Sequence, residues 1–225
     1  MNVFVLAAPI GDYLGDLSFS SVKILKTVKH VFIEQFDGFT SRLTENKIVG
    51  EDTELLIIDS NSVQKARKLI QEGEDFAILP GSGIPSFLDP GSDIVHMIHS
   101  DFKDKVRLLP IGMSSALDAA MSISGINFQS FYFAGHYPES LLYVFSIQRV
   151  RSYEPIVFFV KKGQINDFKE KIWKKSLHNR TLMIFKNMAT KVNNEIIILH
   201  PLSDMDISDG GEIVSIIAPV GVSFK

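Results

Sequence analysis

One stretch of this chain, Leu79-Pro80-Gly81-Ser82-Gly83-Ile84-Pro85-Ser86-Phe87-Leu88-Asp89-Pro90-Gly91, constrains the fold more than any other. The apolar run Phe76-Ala77-Ile78 before it reads as a buried strand, and Ile94, Val95 and Ile98 after it share one face of a helix. A strand-to-helix connection ordinarily takes about two to six residues, and this one is about twice that. Glycines let backbone approach a ligand closely, and prolines hold a turn rigid. Such a loop at the carboxyl end of a strand is where open α/β sheets seat their ligands. A long structural turn is the plainer reading of the same residues.

The flanking pattern supports a sheet with helices on both faces. Val3 to Ala8, Val31 to Ile33, Leu55 to Ile58, Phe76 to Leu79 and Val106 to Leu109 read as strands. Helical spacing separates them over Ser18–Lys29, over the segment after Ser62, which can cap it, and over Asp93–Phe102. Pro110-Ile111-Gly112-Met113-Ser114-Ser115-Ala116 then opens a helix running to about Ser124, and Phe131 to Phe133 reads as a short strand. Alternation of this kind predicts a mostly parallel sheet. The loops after the first, fourth and fifth strands then open at the same sheet edge.

The pattern changes after Gly135-His136-Tyr137-Pro138. Ser140 to Ser152 reads as a helix. So does Asn166 to Ser176, with Asn166 as its cap and Phe168 and Ile172 inward. Pro155 to Val160, Arg180 to Phe185, Glu195 to Leu199 and Glu212 to Ala218 read as strands, the last three with antiparallel pairing. The fold class expected is therefore α/β in two domains. Residues 1–136 form a mostly parallel sheet with flanking helices, and residues 137–225 an α+β domain with a mixed or antiparallel sheet. A cleft between two such halves is a usual place for a small ligand.

Composition removes several function classes. The chain has no cysteine, so disulfides, thiolate chemistry and cysteine-bound zinc are excluded. Met1 to Leu6 carries no basic segment and meets Pro9 and Gly11 too soon for a secretory signal. No apolar run approaches the length of about 20 residues that crosses a bilayer, so the expectation is a cytoplasmic protein without a membrane anchor. A net charge of −3 gives no global attraction to nucleic acid. Lys161, Lys162, Lys169, Lys171, Lys174 and Lys175 form a local basic cluster, read as a solvated helix face. His96 and His99 share a helix face, but with no third ligand in reach no metal site is expected.

Taken in order, Pro9-Ile10-Gly11-Asp12, then Ser82-Gly83-Ile84-Pro85 with Asp89-Pro90-Gly91, then Gly112-Met113-Ser114-Ser115-Ala116 resemble the signature loops of the tetrapyrrole-methylase superfamily. Within it the branch of the small-subunit ribosomal RNA cytidine 2′-O-methyltransferases is the nearest likeness. Gly135-His136-Tyr137-Pro138 resembles that branch's Gly-Phe-Leu-Pro, and Gly211-Glu212-Ile213-Val214 resembles the last strand of its second domain. The resemblance covers nearly the whole chain. It implies S-adenosylmethionine as methyl donor, bound between the two domains, and a homodimer.

On that resemblance the donor falls to Pro9, Gly11, Gly81, Ser82, Gly83, Ile84, Pro85, Asp89, Ser114, Ser115 and Ala116, with Ala218 beside Pro219 lining an adenine pocket. Ser114 and Ser115 suit the donor's carboxylate, with the helix N-terminus assisting; a plain cap is compatible with that role. Glu34 and His136 are the candidate bases, for a hydroxyl acceptor must lose a proton. Glu34 reads equally as a strand-end acid, His136 as a structural histidine, and Asp89 as a loop-orienting residue before Pro90. Asp12 and Asp16 read as acceptor contacts or turn residues, and Lys186 and Lys191 flank a loop resembling a substrate-contacting one, with plain solvated lysines the default reading.

The chain also departs from the branch. Its Glu-Asp-Thr-Arg is here Glu34-Gln35-Phe36-Asp37, the Asp of Asp-Ala-Gly is Gly81, and Ile111 and Met113 replace prolines around Gly112. The departures cluster where the acceptor or its phosphates would lie, and the donor loops mostly survive. A methyltransferase acting on ribosomal RNA or on a small molecule is one expectation. A donor-binding accessory protein that has lost catalysis is the second. An unrelated sugar or nucleotide enzyme is a third, against which stands the absence of a GxGxxG or Walker loop.

Overall fold

The structure is a computed structural model and describes residues 1–10, 14–35, 38–137, 153–161, 163–177, 179–188, 195–200, 207, 213–219 and 221–224. It divides into two compact units, Met1–Asn127 and Phe128–Lys225.

The first unit holds strands β1 (Asn2–Leu6), β2 (His30–Ile33), β3 (Glu54–Ile57), β4 (Phe76–Leu79) and β5 (Arg107–Ile111). All pair in parallel, in the spatial order β3-β2-β4-β1-β5. The inner strands are apolar without alternation because both faces are covered. Val3, Val5, Val31, Phe32 and all of Phe76–Leu79 are buried, and each of the larger side chains contributes about 1.5–3 kcal/mol by leaving water. Phe32 and Phe76 meet edge to face at 5.2 Å between ring centroids.

The helices are α1 (Phe19–Leu25), α2 (Phe39–Glu45), α3 (Ser62–Glu72), α4 (Ser92–Asp101) and α5 (Ala116–Ser122). Ser18 caps α1, accepting a hydrogen bond from the Ser21 amide. The helix stops at Leu25, short of the Lys29 that the apolar spacing predicts, because the Leu25 carbonyl accepts from the Gly50 amide and Val28 leads into β2. The cap of α3 is Asn61, not Ser62. Ser62 is buried at the first helical position, where its hydroxyl is tied to the Asp59 carboxylate and accepts from the Asp59 amide. The sequence pattern marks no helix at Phe39–Glu45. The one found there starts from Gly38 in the left-handed region (φ 69°) without a side-chain cap.

The second unit holds β6 (Tyr132–Tyr137), β7 (Ile156–Val160), β8 (Leu182–Lys186), β9 (Glu195–Leu199) and β10 (Ile213–Ile217), in the order β6-β7-β10-β8-β9. β6 and β7 are parallel, and the remaining pairs are antiparallel, giving the mixed sheet expected. The short strand expected at Phe131–Phe133 runs on to Tyr137 and belongs to this sheet. The helix expected over Ser140–Ser152 lies outside the described residues. Helix α6 (Ile165–Phe168) widens into a π-type run over Lys169–Leu177. Asn166 sits inside α6 rather than capping it. Its amide side chain donates to the Ile207 carbonyl and accepts from the Ile207 amide. Phe168 is buried as expected, packed against Tyr137 and Phe158.

Arg180, which the sequence marks only as the start of a strand, is buried. It donates from Nε to the Ala218 carbonyl (2.6 Å) and from Nη2 to the Glu154 and Ile217 carbonyls. Burial lowers its pKa to about 10, which still leaves it charged at neutral pH. A buried guanidinium is costly unless acceptors take up its protons; here carbonyls just before β7 and at the end of β10 take those of Nε and Nη2, while Nη1 is buried without a partner among the described residues.

Candidate functional site

The connection from β1 passes β4 to reach β2, and the connection from β4 passes β1 to reach β5. Neighbouring strands β1 and β4 therefore send their chains in opposite directions. Open parallel sheets place a crevice at that point, outside the carboxyl ends of the strands.

The loops there are tied together by backbone. The Ala8 amide donates to the Gly83 carbonyl at 2.8 Å, and the Ala7 amide to the Ile111 carbonyl at 3.0 Å. The segment after β1 thus touches both the β4 loop and the end of β5. Pro9 is buried beside that junction, while Gly11 and Asp12 lie outside the described residues.

Two glycines set the shape of the long loop and its neighbour. Gly91 has φ 113°, and a Cβ there would stand 2.9 Å from Ile78 Cγ2, so only glycine lets the loop fold back over β4. Gly112 has φ 78°, and its Cβ would meet Ser21 Oγ at 3.0 Å and Ser18 Oγ at 3.2 Å, so the β5 loop lies against the start of α1. The long loop also holds Ser86 at φ 78° and Leu88 at φ 62°, a conformation that ordinary residues rarely adopt. Nothing in the sequence singles these two out, since neither is a residue type associated with positive φ. Ser86 is buried and its hydroxyl donates to the Ser122 carbonyl.

Glu34 follows β2, the neighbour of β4 on the other side. Its amide donates to the Leu79 carbonyl at 3.3 Å, and its Oε2 accepts from the Gly81 amide at 2.8 Å. The β4 loop is therefore held from β1 by backbone and from β2 by a carboxylate. Asp89 stands close enough to Glu34 for their charges to interact. Burial and then the Glu34 carboxylate push its pKa up to about 6. The loop-orienting bonds expected of Asp89 are not formed among the described residues. Gly83 lies near it, with a Cβ position 3.6 Å from Asp89 Oδ2.

The remaining loop residues are accessible in varying degree. Ser82 is exposed, Ile84 is half-buried and Pro85 is buried. Ser114 and Ser115 are exposed at the start of α5, and Ser115 Oγ accepts from the Asp118 amide at 3.1 Å as a cap. Ala116 begins the helix. Ile10 (92% exposed), Leu88 (68%) and Phe87 (39%) leave large apolar side chains in solvent on these same loops.

His136 and Ala218 belong to the second unit. His136 is exposed on β6, its ring 5.4 Å from that of Phe159. Ala218 is buried just beyond β10. Its amide donates to the Thr181 carbonyl and its carbonyl accepts from Arg180, so both backbone groups are engaged within the unit. Lys186 is buried and paired with Glu195 at 2.9 Å, while Lys191 lies outside the described residues. The basic cluster is not the uniformly solvated face expected: Lys169 is buried beside Glu170, and Lys171 and Lys174 pair with Asp167 and Glu170.

His99 is buried, with Nε2 donating to the Ile123 carbonyl at 2.6 Å. Among the described residues no group of three or more His, Asp or Glu could hold a metal ion, and no helix is long and apolar enough to cross a membrane.

No protein-family profile matches the chain. Its sequence is similar to proteins named Ribosomal RNA small subunit methyltransferase I. The one from Leptospira biflexa is 28% identical over 141 residues, 61% of this chain and 56% of that protein. The one from Pseudomonas aeruginosa is 31% identical over 141 residues, covering 61% and 48%. The one from Xylella fastidiosa is 32% identical over 143 residues, covering 61% and 49%. The chain spans about half the length of the curated relatives it matches. A solved uroporphyrin-III-C-methyltransferase from Thermus thermophilus aligns over 97% of this chain and 92% of its own, at 13% identity and a TM-score of 0.35. The sequence relatives bear out the resemblance read from the ordered loops.

Proposed function

We propose that this chain is an S-adenosylmethionine-dependent methyltransferase whose acceptor is a ribose hydroxyl of small-subunit ribosomal RNA. The observation that carries the reading is the sequence similarity to ribosomal RNA small subunit methyltransferase I proteins over 61% of the chain. The geometry of the first unit fits a donor of that kind. The β4 loop offers half-buried backbone at Gly83, beside the buried Gly81 whose amide Glu34 holds, and Ser82, Ser114 and Ser115 offer exposed hydroxyls for the donor's polar ends. Ile10, Phe87 and Leu88 offer apolar surface. The reading makes the active protein a homodimer, on the strength of the resemblance, and puts it in the cytoplasm, where ribosomal RNA is found.

Bound S-adenosylmethionine supplies a methyl group already activated by its sulfonium. The protein's task is then mainly alignment, and rigid loops serve it. The two ties on the β4 loop, Ala8 to Gly83 and Glu34 to Gly81, provide that rigidity. Held there, the donor would give its methyl group to the acceptor oxygen, with the electron pair of the broken carbon–sulfur bond left on sulfur. The acceptor's proton passes to a base. Glu34 is the carboxylate we assign to it, since one oxygen holds the loop and the other is left to accept.

The test is transfer of a labelled methyl group from S-adenosylmethionine to purified small-subunit ribosomal particles and, in parallel, to a metabolite extract. The expected result is label in the RNA at a nucleotide that resists alkaline cleavage, as a 2′-O-methyl ribose does. Gly83→Arg, which fills the loop at φ 67°, abolishes the transfer. Label confined to small molecules moves the acceptor, and absence of label from both contradicts methyl transfer.

A further inference from the structure

A cavity of about 520 Å³ opens on the side of β4 away from β1, entirely within the first unit. That volume is in the range of sites for small organic ligands, about 300–1,000 Å³. Its walls come from the ends of β2 and β3, the starts of α3 and α4, and the last part of the long loop. The apolar lining is Ile58, Val63, Leu88, Pro90 and Ile94. The charged lining is Glu34, Asp59, Asp89 and Asp93, with no lysine or arginine among the lining residues.

Two of these carboxylates have other work. Asp59 is tied to the Asn61 amide, the Ser62 hydroxyl and the Lys65 ammonium, at the start of α3. Asp93 lies in the first turn of α4. Each offsets a helix N-terminus carrying about half a positive charge. Four carboxylates against two such ends still leave a marked excess of negative charge. Glu34 and Asp89 supply it. Among the described residues the Gly81 amide is the one hydrogen-bond donor that reaches Glu34, and none reaches Asp89.

A hydroxyl supplies the second, independent sign. Ser92 lines the same cavity, is 5% exposed, and its side chain has no hydrogen-bond partner among the described residues. Its oxygen is not among the side-chain atoms sealed from solvent, so in a residue otherwise buried the hydroxyl is open to the cavity it lines and available to a ligand atom. An anion is disfavoured by Glu34 and Asp89. A bare metal ion lacks the cluster of ligands it needs among the described residues. The apolar wall asks for a carbon body.

We propose that this cavity binds a small organic cation, an amine or guanidine on an apolar body, held by the Glu34 and Asp89 carboxylates and the Ser92 hydroxyl. The elevated pKa of Asp89, about 6, fits a carboxylate awaiting a positive partner. Glu34 and Asp89 also figure in the methyl-transfer reading, but the probe below carries no methyl donor, so either reading can fail without the other.

The experiment titrates the full chain with phenethylamine by calorimetry at pH 7.5 and low salt. Its neutral isostere 2-phenylethanol and the anion 3-phenylpropionate serve as comparisons. The expected result is saturable phenethylamine binding with Kd of about 1 mM or tighter. The alcohol binds at least about tenfold more weakly, and the anion not at all. Asp89→Asn and Ser92→Ala each weaken phenethylamine several-fold while keeping the thermal midpoint within a few degrees of the parent protein. Equal affinity for amine and alcohol overturns the proposal. So does the absence of saturable amine binding by the folded protein, and so does undiminished affinity in a folded Asp89→Asn, Ser92→Ala double variant.

Discussion

Gly91 carries the tightest requirement at the scale of single residues. Its φ of 113° and the 2.9 Å approach that a Cβ would make to Ile78 Cγ2 act together, so Gly91→Ala meets both backbone strain and overpacking. The expected cost is about 2 kcal/mol or more of stability, read as a lower urea midpoint with an unchanged slope; an unchanged midpoint contradicts the requirement. His99 gives a pH signature. Desolvation, chiefly, lowers its pKa to about 4, with His96 and Lys103 nearby and the Ile123 carbonyl opposing. The native imidazole stays neutral where the unfolded one, near 6.5, takes up a proton. Its contribution is therefore whole above about 6.5 and drains as pH falls toward 4, to a total on the order of 3 kcal/mol. Stability measured from pH 7 to pH 4 should fall more steeply in the parent than in His99→Gln, and parallel curves contradict it. At this scale the sequence tells which residues crowd the loops but not how they meet. Glu34 lies far along the chain from Gly81 and Asp89, so neither the hydrogen bond nor the carboxylate pair has a local signal. Ser92 stands at a helix start, where a serine reads as a cap.

Elements are legible where hydrophobic periodicity is strong and faint where it is not. The five strands of the first sheet are marked by continuous apolar runs, which burial on both faces demands. Helix α2 leaves no such mark, since it is a two-turn element with Thr40, Ser41 and Thr44 among its residues and no side-chain cap. Asn166 looks like a cap because asparagine favours that place, but its pairing with Ile207 takes it into the helix. Arg180 shows the same limit in a strand. Its three carbonyl partners, on Glu154, Ile217 and Ala218, come from distant segments that only the folded sheet brings together. Arg180→Leu leaves those carbonyls buried without a donor, at a cost of about 3 kcal/mol or more. Hydrogen exchange checks this: amides of β7 and β10 should lose protection first, while those of β1 and β4 keep theirs. Uniform loss over both units contradicts a local role for Arg180.

For the whole molecule, alternation of strands and helices announces a parallel sheet, yet not the order β3-β2-β4-β1-β5. Periodicity fixes which face of a strand is buried and is silent about its neighbours. That order makes the β1 and β4 loops adjacent, and so turns two turn-like sequences into one crevice. The ordered loops carry the functional reading further than composition can, since a net charge of −3 and an acidic cavity give no sign of an RNA partner. Methyl transfer by this chain requires that the first unit's loops help to hold S-adenosylmethionine. Calorimetric titration of the full chain with that compound, with NAD and ATP as controls, decides the point. Selective binding is expected, with Kd in the micromolar range, about −8 kcal/mol, and lost in Gly83→Arg. Binding of NAD or ATP in preference to the donor, or no binding of the donor by the folded protein, would contradict it.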